Sequence, residues 1–292
     1  MHEPSGHCTG CGRTLDEIAL WSVLDDDDKR AVWALLPERF ATRPSETAMN
    51  ASAVTPALRA EMAPTGTLRA AINFGNPVLA RRDADGPGGI STDLARELAR
   101  RLDVPVAFVG YDSAGKVVQG LEARAEWDIC FLAIDPLRAQ TIAFTAAYVV
   151  IEGAYMVASE SAYRSNADVD RPGVRVGATV GSAYDLFLTR ELKHASLVRA
   201  AEIGPVMALW DSGTALDVVA GVRPQLAALC AKRPGTRMLA ERFMAINQAM
   251  GLPAGRETGA RYLRAYVDEM KGSGFVAEAF VRNRIEGAEP AA

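Results

Sequence analysis

Residues 68–109 contain, in order, LRAAIN at 68–73, STDLARELARRL at 91–102 and VPVAFV at 104–109. The first and third segments are short and largely apolar, which is typical of buried strands. In the middle segment Leu94, Leu98 and Leu102 recur every fourth residue, and this spacing predicts a helix with one apolar stripe, capped by Ser91 or Thr92. A helix between two such strands is typical of a parallel β-α-β unit, so this stretch favours an α/β fold.

The same alternation of apolar runs and helical patterns continues along the chain. Further strands are predicted at 128–132, 174–179 and 216–222, with helices between them. Strands that alternate with helices form mainly parallel sheets with helices on their faces. The fold class predicted for the chain after Thr67 is therefore α/β.

The composition is that of a globular protein. The 292 residues are 49% hydrophobic and 23% charged, and their formal net charge is −4. This composition excludes fibrous and disordered chains, and no basic field is present to attract nucleic acid or an anionic membrane. The longest apolar runs, such as 146–151, are far shorter than the roughly 20 residues of a membrane-spanning helix. We therefore expect a small-molecule or protein partner, no nucleic acid and no membrane insertion.

The first part of the chain differs in charge from the rest. Residues 1–48 contain five basic and nine acidic residues, which accounts for the whole net charge of −4. Residues 43–66 are rich in Ser, Thr, Ala and Pro without a sustained apolar period, which is typical of a linker. The sequence therefore predicts a small helical, cysteine-containing module at 1–42, a linker at 43–66 and a larger α/β part.

Two cysteines in the N-terminal module have the spacing of a metal site. Cys8 and Cys11 supply two thiolates on a tight turn, which is half of a zinc or iron–sulfur site, and His2 and His7 could complete it. The alternative is a reduced cysteine pair without metal. No other cofactor is expected. After this pair the sequence predicts a short helix at 16–21 and a second helix that begins at the acidic run 25–28 and ends at Pro37.

The module resembles a short bacterial family of unknown function, described as predicted iron–sulfur proteins. The resemblance covers residues 7–40 and is carried by CTGCGRTLDEI at 8–18 together with Trp21. Members of that family carry another cysteine pair further upstream, which this sequence does not contain. The resemblance therefore implies either a start codon placed too late or a module that has lost its metal.

Three junctions between a predicted strand and a helix carry polar residues suited to anion binding. In open α/β sheets, ligands gather beyond the carboxyl ends of strands, where free N–H groups and the helix dipole favour anions. Gly181 and Ser182 precede a helix, and Asp185 has capping-box spacing, so this segment is either an anion site or only a helix cap. Arg138 could present its planar guanidinium to a carboxylate, and Lys116 could reach an anion; ordinary surface positions are the alternative for both.

Residues 66–285 resemble bacterial solute-binding protein family 3, the amino-acid-binding components of ABC transporters. The resemblance implies a periplasmic-binding-protein-like fold of type II, in which two α/β lobes close on a small ligand about a hinge. It places the crossover strands near 148–158 and 237–247, the first lobe at 67–148 plus 245–285 and the second lobe at 149–244. The motifs that carry it are GTLRAAI at 66–72, GGISTDLAREL at 88–98, WD at 127–128, DPLRAQTIAFTAAY at 135–148, VGSAYD at 180–185 and LD at 216–217.

The resemblance also implies roles for individual residues. Arg138 corresponds to the residue that clamps the ligand carboxylate, and Ser182 with the neighbouring N–H groups, including that of Gly181, is the contribution of the second lobe. The acidic residue that holds an amino acid's ammonium group falls on Val222, followed by Arg223. The aromatic rings that enclose the ligand side chain fall on about Asn76 and Ala114. The implied pocket is thus not that of a standard binder of basic amino acids.

Two ligand classes remain open from the residues alone. A positively biased cleft favours an anionic ligand such as a dicarboxylate; its members would be Asn73, Asn76, Lys116, Arg138, Ser182 and Arg223. Alternatively, Glu152 on the first crossover strand could hold an ammonium group, which would restore an amino acid as the ligand.

Reversible binding of a small carboxylate-bearing metabolite without chemistry is the leading function. Such a protein would serve an ABC transporter permease, or would be a cytoplasmic relative of such proteins, since residues 1–17 lack a secretion signal although the resembled family is normally periplasmic. An enzyme resembling cyclohexadienyl or arogenate dehydratases is the first alternative, with Glu152 as its general acid. A metal or redox adaptor that uses Cys8 and Cys11 is the second.

Overall fold

A computed structural model describes residues 13–19, 21, 24–41, 54–213 and 215–291. The chain divides into two compact units, Met1–Ala53 and Val54–Ala292. Cys8, Cys11, His2 and His7 lie outside the described residues, so the metal-site prediction stays a prediction.

The first unit contains the two predicted helices, α1 (Leu15–Ala19) and α2 (Asp26–Ala41). Thr14 and Glu17 form a capping box at α1, and Asp25 Oδ1 accepts hydrogen bonds from the amides of Asp27 and Asp28, both at 2.9 Å. The acidic run is therefore a helix start, as predicted. The predicted end at Pro37 is wrong, because α2 continues through this proline to Ala41.

The second unit alternates helices and strands. In the described residues, its helices are α3 (Pro56–Met62), α4 (Ile90–Leu102), α5 (Ala114–Arg124), α6 (Asn166–Val169), α7 (Ala183–Glu191), α8 (Ile203–Asp211), α9 (Arg223–Ala231), α10 (Glu257–Gly272) and α11 (Phe275–Asn283). Its strands there are β1 (Leu68–Asn73), β2 (Arg81–Asp83), β3 (Gly86–Gly88), β4 (Val106–Tyr111), β5 (Ile129–Ala133), β6 (Ile142–Ala158), β7 (Arg175–Thr179), β8 (Ser196–Ala200), β9 (Val218–Val222), β10 (Thr236–Met238), β11 (Met244–Pro253) and β12 (Ala288–Pro290). The five predicted strands are confirmed, with starts shifted by up to two residues.

The main sheet is parallel at both ends and antiparallel in the middle. Its strand order is β4-β1-β5-β11-β6-β9-β7-β8. Strand β1 runs parallel to β4 and β5, whereas β7 runs parallel to β8 and β9. We call the part built on β1, β4 and β5 the first lobe and the part built on β7, β8 and β9 the second lobe. The predicted α/β class is confirmed.

Two long strands, β6 and β11, join the lobes. Strand β6 pairs with β11 from Ile142 to Gly153 and with β9 from Gly153 to Met156, so it passes from one lobe into the other. The first crossing predicted, at 148–158, lies within β6. The second lies further along the chain than predicted, because residues 236–238 form the separate strand β10, which pairs with the end of β6 before β11 begins.

Helix α4 shows how the sequence pattern becomes packing. Leu94, Leu98 and Leu102 are all fully buried, as the spacing predicts. The predicted cap is wrong, because Gly89 holds the N-cap position with a φ of +113° and the helix begins at Ile90. A Cβ on Gly89 would lie 2.4 Å from the carbonyl oxygen of Leu79, so this close backbone contact requires glycine.

Part of the segment assigned to the linker is a packed helix. Thr55 caps α3, since its hydroxyl accepts a hydrogen bond from the Leu58 amide at 3.1 Å, and Pro56 occupies the first turn. Leu58 and Met62 lie four residues apart and are buried in the core of the second unit. Residues 56–62 therefore belong to the folded unit, because a single helical turn is enough to bury this apolar pair.

None of the helices within the described residues is long and apolar enough to cross a membrane.

Candidate functional site

A cavity of about 500 Å³ lies between the two lobes. It is bounded by the carboxyl ends of β1, β5, β7 and β9, by β11 and by the N-terminus of α7, which is where ligands of α/β sheets bind. Its apolar wall includes Phe74, Leu132, Ile203, Val222 and Ile246. Of the residues proposed from the sequence, Asn73, Asn76, Arg138 and Ser182 line it.

Arg138 is a buried cation in the wall of this cavity. Its Nη1 donates to the carbonyl of Ala133 at 2.9 Å, and its Nη2 donates to the carbonyl of Gly181 in the opposite lobe at 2.8 Å. Nothing in the described part of the chain accepts a hydrogen bond from Nε. Burial lowers the pKa of Arg138 to about 10, which leaves the guanidinium charged at neutral pH.

The charge of Arg138 has no carboxylate partner among the described residues. Asp135 acts on it through charge alone, and this carboxylate is itself paired with Arg190 at 2.9 Å. Isolated buried charges are costly, so a site of this kind favours an anion. Each Nη atom of the guanidinium retains a second N–H that can donate to a carboxylate in the cavity.

The N-terminus of α7 forms the facing wall. The Ser182 hydroxyl caps α7 by accepting from the Asp185 amide at 3.0 Å, and the Gly181 amide donates to Asp185 Oδ2 at 2.8 Å. The Ser182 amide donates to the carbonyl of Thr179 at 3.1 Å. The remaining donors are the first helical amides, those of Ala183 and Tyr184, which have no intrahelical acceptor and belong to residues that line the cavity.

Asp185 therefore stabilises the start of α7. It does not line the cavity, and besides the Gly181 amide its carboxylate binds Arg199 Nε at 2.7 Å. The Gly181 amide is occupied by the same hydrogen bond. Gly181 and Asp185, which were predicted to contact the ligand directly, therefore form part of the cap of α7. Gly181 still adjoins the site, since its carbonyl accepts from Arg138.

Two asparagines present amide donors to the cavity. Asn73 Oδ1 accepts from the Gly75 amide at 3.0 Å, and Asn76 Oδ1 accepts from the Val78 amide at 3.3 Å. Each carbonyl oxygen is thus used within its own loop. The NH₂ groups are left for a ligand, because neither forms a hydrogen bond within the described part of the chain.

Two glutamines of the site were not predicted from the sequence. Gln225 and Gln248 line the cavity, and neither side chain forms a hydrogen bond with the residues that the structure describes. Gln248 is only 5% exposed, although it lies on the crossover strand β11. Gln248 stands in the largely apolar stretch MAINQAMGLP at 244–253, and this was the available signal, since a buried polar side chain needs a partner.

Lys116 is not placed as the sequence predicted. Its Nζ pairs with Glu202 of the second lobe at 3.0 Å and lies 3.6 Å from Asp112. Lys116 itself does not line the cavity, whereas both of its partners do. This lysine therefore neutralises acidic side chains at the cavity and contacts the opposite lobe.

Glu152 and Arg223 bind each other instead of a ligand. Glu152 Oε2 accepts from Arg223 Nε at 2.5 Å, and Glu152 also lies 3.6 Å from Arg242. Arg223 Nη2 donates to the carbonyl of Ala240 at 2.9 Å, and neither Glu152 nor Arg223 lines the cavity. The structure thus contradicts the placement of Glu152 as an ammonium partner or general acid in the cleft, and that of Arg223 as an anion-binding residue there.

The positions at which the resemblance implies aromatic rings or an acid also face the cavity. Asn76, Ala114 and Val222 all line it, so their small or uncharged side chains shape its wall. An aromatic ring comes instead from Phe74, over which the guanidinium of Arg82 lies at 3.8 Å from the ring centroid.

A family model described as bacterial extracellular solute-binding proteins, family 3, matches residues 68–281. A second model, described as a protein of unknown function, DUF1289, matches residues 1–40. Both resemblances found in the sequence are thereby confirmed. None of the curated proteins matches the sequence closely enough to be a relative.

Solved structures share the fold of the second unit. The P235GK mutant of ArgBP from T. maritima has a TM-score of 0.66 at 20% identity, covering 79% of this chain and 100% of its own. The ancestral amino acid-binding protein AncCDT-1, a precursor of cyclohexadienyl dehydratase, has a TM-score of 0.62 at 22% identity, covering 76% and 97%. The substrate binding protein of an amino acid ABC transporter has a TM-score of 0.63 at 14% identity, covering 74% and 98%. At these identities the likeness establishes a two-lobe fold.

Proposed function

We propose that this chain, which belongs to the bacterial extracellular solute-binding proteins of family 3, reversibly binds a small carboxylate-bearing metabolite, an amino acid or an organic acid, between its lobes. The observation that carries the proposal is Arg138, a buried cation in the cavity wall without a carboxylate partner among the described residues. The first amides of α7 belong to residues that line the same cavity, and this helix N-terminus favours the same charge. A carboxylate between these two groups would be held by both lobes.

Binding without turnover fits the residues of the cavity better than an enzyme does. Elimination from a carboxylate substrate needs a general acid within hydrogen-bond reach. Glu152, the acid proposed from the sequence, is engaged with Arg223, and the cavity-lining acids Asp112 and Glu202 are engaged in ion pairs. One structural neighbour is a precursor of a dehydratase, and it is itself an amino acid-binding protein.

Service to an ABC transporter is the physiological role that we infer for the second unit. The support is family membership together with a neighbour that is the substrate binding protein of an amino acid ABC transporter. The expected cytoplasmic location and the metal or redox role of Cys8 and Cys11 stay predictions.

Substitution of Arg138 tests the proposed function. Amino acids and organic acids are added singly to the full chain, and the increase in melting temperature is measured, because a ligand that binds only the folded state stabilises it. We expect one or more carboxylates to stabilise the wild type, and Arg138→Ala to reduce their affinity at least a hundredfold in calorimetry. Arg233→Ala, which removes an arginine paired with Asp211 within the second lobe, is the matched control and should bind normally. Unchanged affinity in Arg138→Ala would contradict the proposal.

A further inference from the structure

The charged side chains that line the cavity are paired with one another or with near neighbours, except for Arg138. Arg138 is thus the single unpaired charge in the cavity wall, within the part of the chain that the structure describes. The pairs are Arg81 with Asp83 at 2.9 Å, Arg82 with Asp112 at 2.8 Å and Lys116 with Glu202 at 3.0 Å.

The cavity wall, as far as the structure describes it, has no carboxylate that is free to bind a cationic group of a ligand. Asp112 and Glu202 are the acids that line the cavity, and each already has a basic partner. An ammonium group placed in a buried site without a carboxylate is strongly disfavoured by desolvation. The neutral amide oxygens of Gln225 and Gln248 can accept a hydrogen bond, but they supply no charge to offset that cost, so the cavity disfavours amines relative to uncharged substituents.

The two asparagines that follow the first-lobe strand β1 present donors to the cavity. Because the Oδ1 atoms of Asn73 and Asn76 are occupied by backbone amides, these side chains offer N–H groups to the ligand. An ammonium group also carries only donors, whereas an oxo or hydroxyl oxygen accepts hydrogen bonds. The asparagines therefore match a ligand with an oxygen substituent.

We infer that the ligand is a monocarboxylate without an amine, of the 2-oxo or 2-hydroxy acid class; this inference rests on the function proposed above. Its single negative charge faces Arg138, and its uncharged oxygen faces the asparagine amides. A second carboxylate would meet no unpaired cation in the described residues, so the class replaces the dicarboxylate considered from the sequence. The apolar wall of Phe74, Leu132, Ile203, Val222 and Ile246 accommodates an uncharged carbon skeleton.

Matched acids that differ at one position test the inference. The probes are three sets with a common skeleton: pyruvate, lactate and alanine; 4-methyl-2-oxopentanoate, 2-hydroxy-4-methylpentanoate and leucine; phenylpyruvate, phenyllactate and phenylalanine. Calorimetry on the full chain should show that, in the set that binds best, the oxo or hydroxy acid binds at least tenfold more tightly than the amino acid. Butyrate should bind at least as tightly as succinate. Tighter binding of the amino acid, or of succinate, would overturn the inference.

An added carboxylate should reverse this preference. Gln225→Glu is isosteric and places an acid in the first turn of α9, where the helix dipole favours it, so folding is retained. The net charge of the cavity wall then matches a zwitterion, and the ratio of amino acid to oxo acid affinity should rise at least tenfold. Gln248→Glu is the second variant with the same expected direction, and Gln119→Glu, which adds the same charge at an exposed position of α5 that does not line the cavity, is the control. An unchanged ratio in both glutamate variants would count against the inference.

The two proposals fail in different ways. If an amino acid binds best and Arg138→Ala abolishes that binding, the proposed function stands and the inference is wrong. If no probe binds the wild type, or if Arg138→Ala binds normally, the proposed function fails and the inference fails with it.

Discussion

At the contact between the lobes, the backbones of Gly115 and Gly181 leave no room for a side chain. A Cβ on Gly181 would lie 2.9 Å from Gly115 Cα, and the φ of Gly181 is +68°. We expect Gly181→Ala to lower the free energy of unfolding by about 1 kcal/mol through its left-handed backbone. The same variant should weaken binding of the stabilising carboxylate at least tenfold, because the added methyl group holds the lobes apart. Urea denaturation and calorimetry measure the two effects.

Gly173 is the matched control for that substitution. Its φ is +89°, yet no atom lies within 4 Å of a Cβ built on it. Gly173→Ala should therefore show a similar loss of stability with unchanged affinity. An equal loss of affinity in both variants would assign the Gly181 effect to backbone strain alone.

The ion pair of Glu152 gives a second prediction for single residues. Glu152→Gln should leave the affinity for the carboxylate within twofold of the wild type, because Glu152 is paired with Arg223 and does not line the cavity. The stability should fall by about 1 kcal/mol or less, since the pair is partly exposed. A tenfold loss of affinity in Glu152→Gln, measured by calorimetry, would instead indicate that Glu152 contacts the ligand.

The placement of residues at or just after the end of a strand could be predicted from the sequence, whereas ion-pair partners distant in the chain could not. Asn73 is the last residue of a recognisable strand, and Arg138 and Ser182 come shortly after one, so their position at the cavity follows from parallel pairing. Glu152 is 71 residues from Arg223, and Lys116 is 86 residues from Glu202. Only the folded chain shows that these charges satisfy each other, so the sequence alone wrongly favours the placement of Lys116, Glu152 and Arg223 in the site.

At the scale of elements, a cluster of charges joins α4 to α10. Glu97 accepts from Arg100 at 2.8 Å and from Arg101 at 2.9 Å, and Arg101 also donates to Glu269 at 2.8 Å. The hydrogen bond from Arg100, with that from Arg101, lowers the pKa of Glu97 from 4.5 to about 2 against the effect of burial. The folded state thus holds Glu97 ionised at pH values at which the unfolded chain binds a proton.

A carboxylate with a lowered pKa contributes stability above its unfolded pKa and loses it as the pH falls. We therefore expect the Glu97 contribution to be complete above pH 4.5 and to disappear toward pH 2. Glu97→Gln should lower the unfolding free energy at pH 7 by about 2 kcal/mol, after solvent screening. Urea denaturation at several pH values measures this. The variant should have a flatter acid dependence than the wild type, and parallel curves would contradict the assignment.

Element types were easier to predict than element ends. Helix α4 followed from its leucine spacing, but its cap did not, because Gly89 is required by contact with the Leu79 carbonyl from a neighbouring loop. Helix α3 was assigned to a linker, since a seven-residue helix offers too short a window for periodicity. Its burial against the core decides its structure, and that burial depends on residues far along the chain.

At the scale of the whole molecule, the order of the strands in the sheet could not be predicted from local sequence patterns. Strands β5 and β11 are neighbours although more than 100 residues separate them, as the pairing of Ala133 with Gln248 shows. Periodicity predicted the strands, and the family resemblance predicted that two of them cross between lobes. The crossing at β11 was displaced because β10 could not be distinguished from it in sequence.

Among the described residues, two ion pairs connect the lobes beside the cavity. Lys116 of the first lobe binds Glu202 of the second at 3.0 Å, and Asp135 of the first binds Arg190 of the second at 2.9 Å. The Lys116–Glu202 pair is exposed and contributes about 1 kcal/mol or less, whereas the buried carboxylate of Asp135 is less screened by solvent in its pair with Arg190. Energies of this size are enough to shift an equilibrium between open and closed lobes. Both pairs would be lost on opening, so they favour the closed arrangement.

Removal of both pairs should therefore open the protein without unfolding it. We expect the double variant Lys116→Gln, Arg190→Gln to have a larger radius of gyration in solution scattering, and an affinity for the carboxylate about three- to tenfold lower. High salt should enlarge the wild type in the same direction, because it screens exposed charges. Asp211→Asn removes a pair with Arg233 that lies within the second lobe, so it should change neither quantity. An unchanged radius in the double variant would mean that the contact of Arg138 with the Gly181 carbonyl, and the approach of Gly115 to Gly181, hold the lobes closed without help from these two ion pairs.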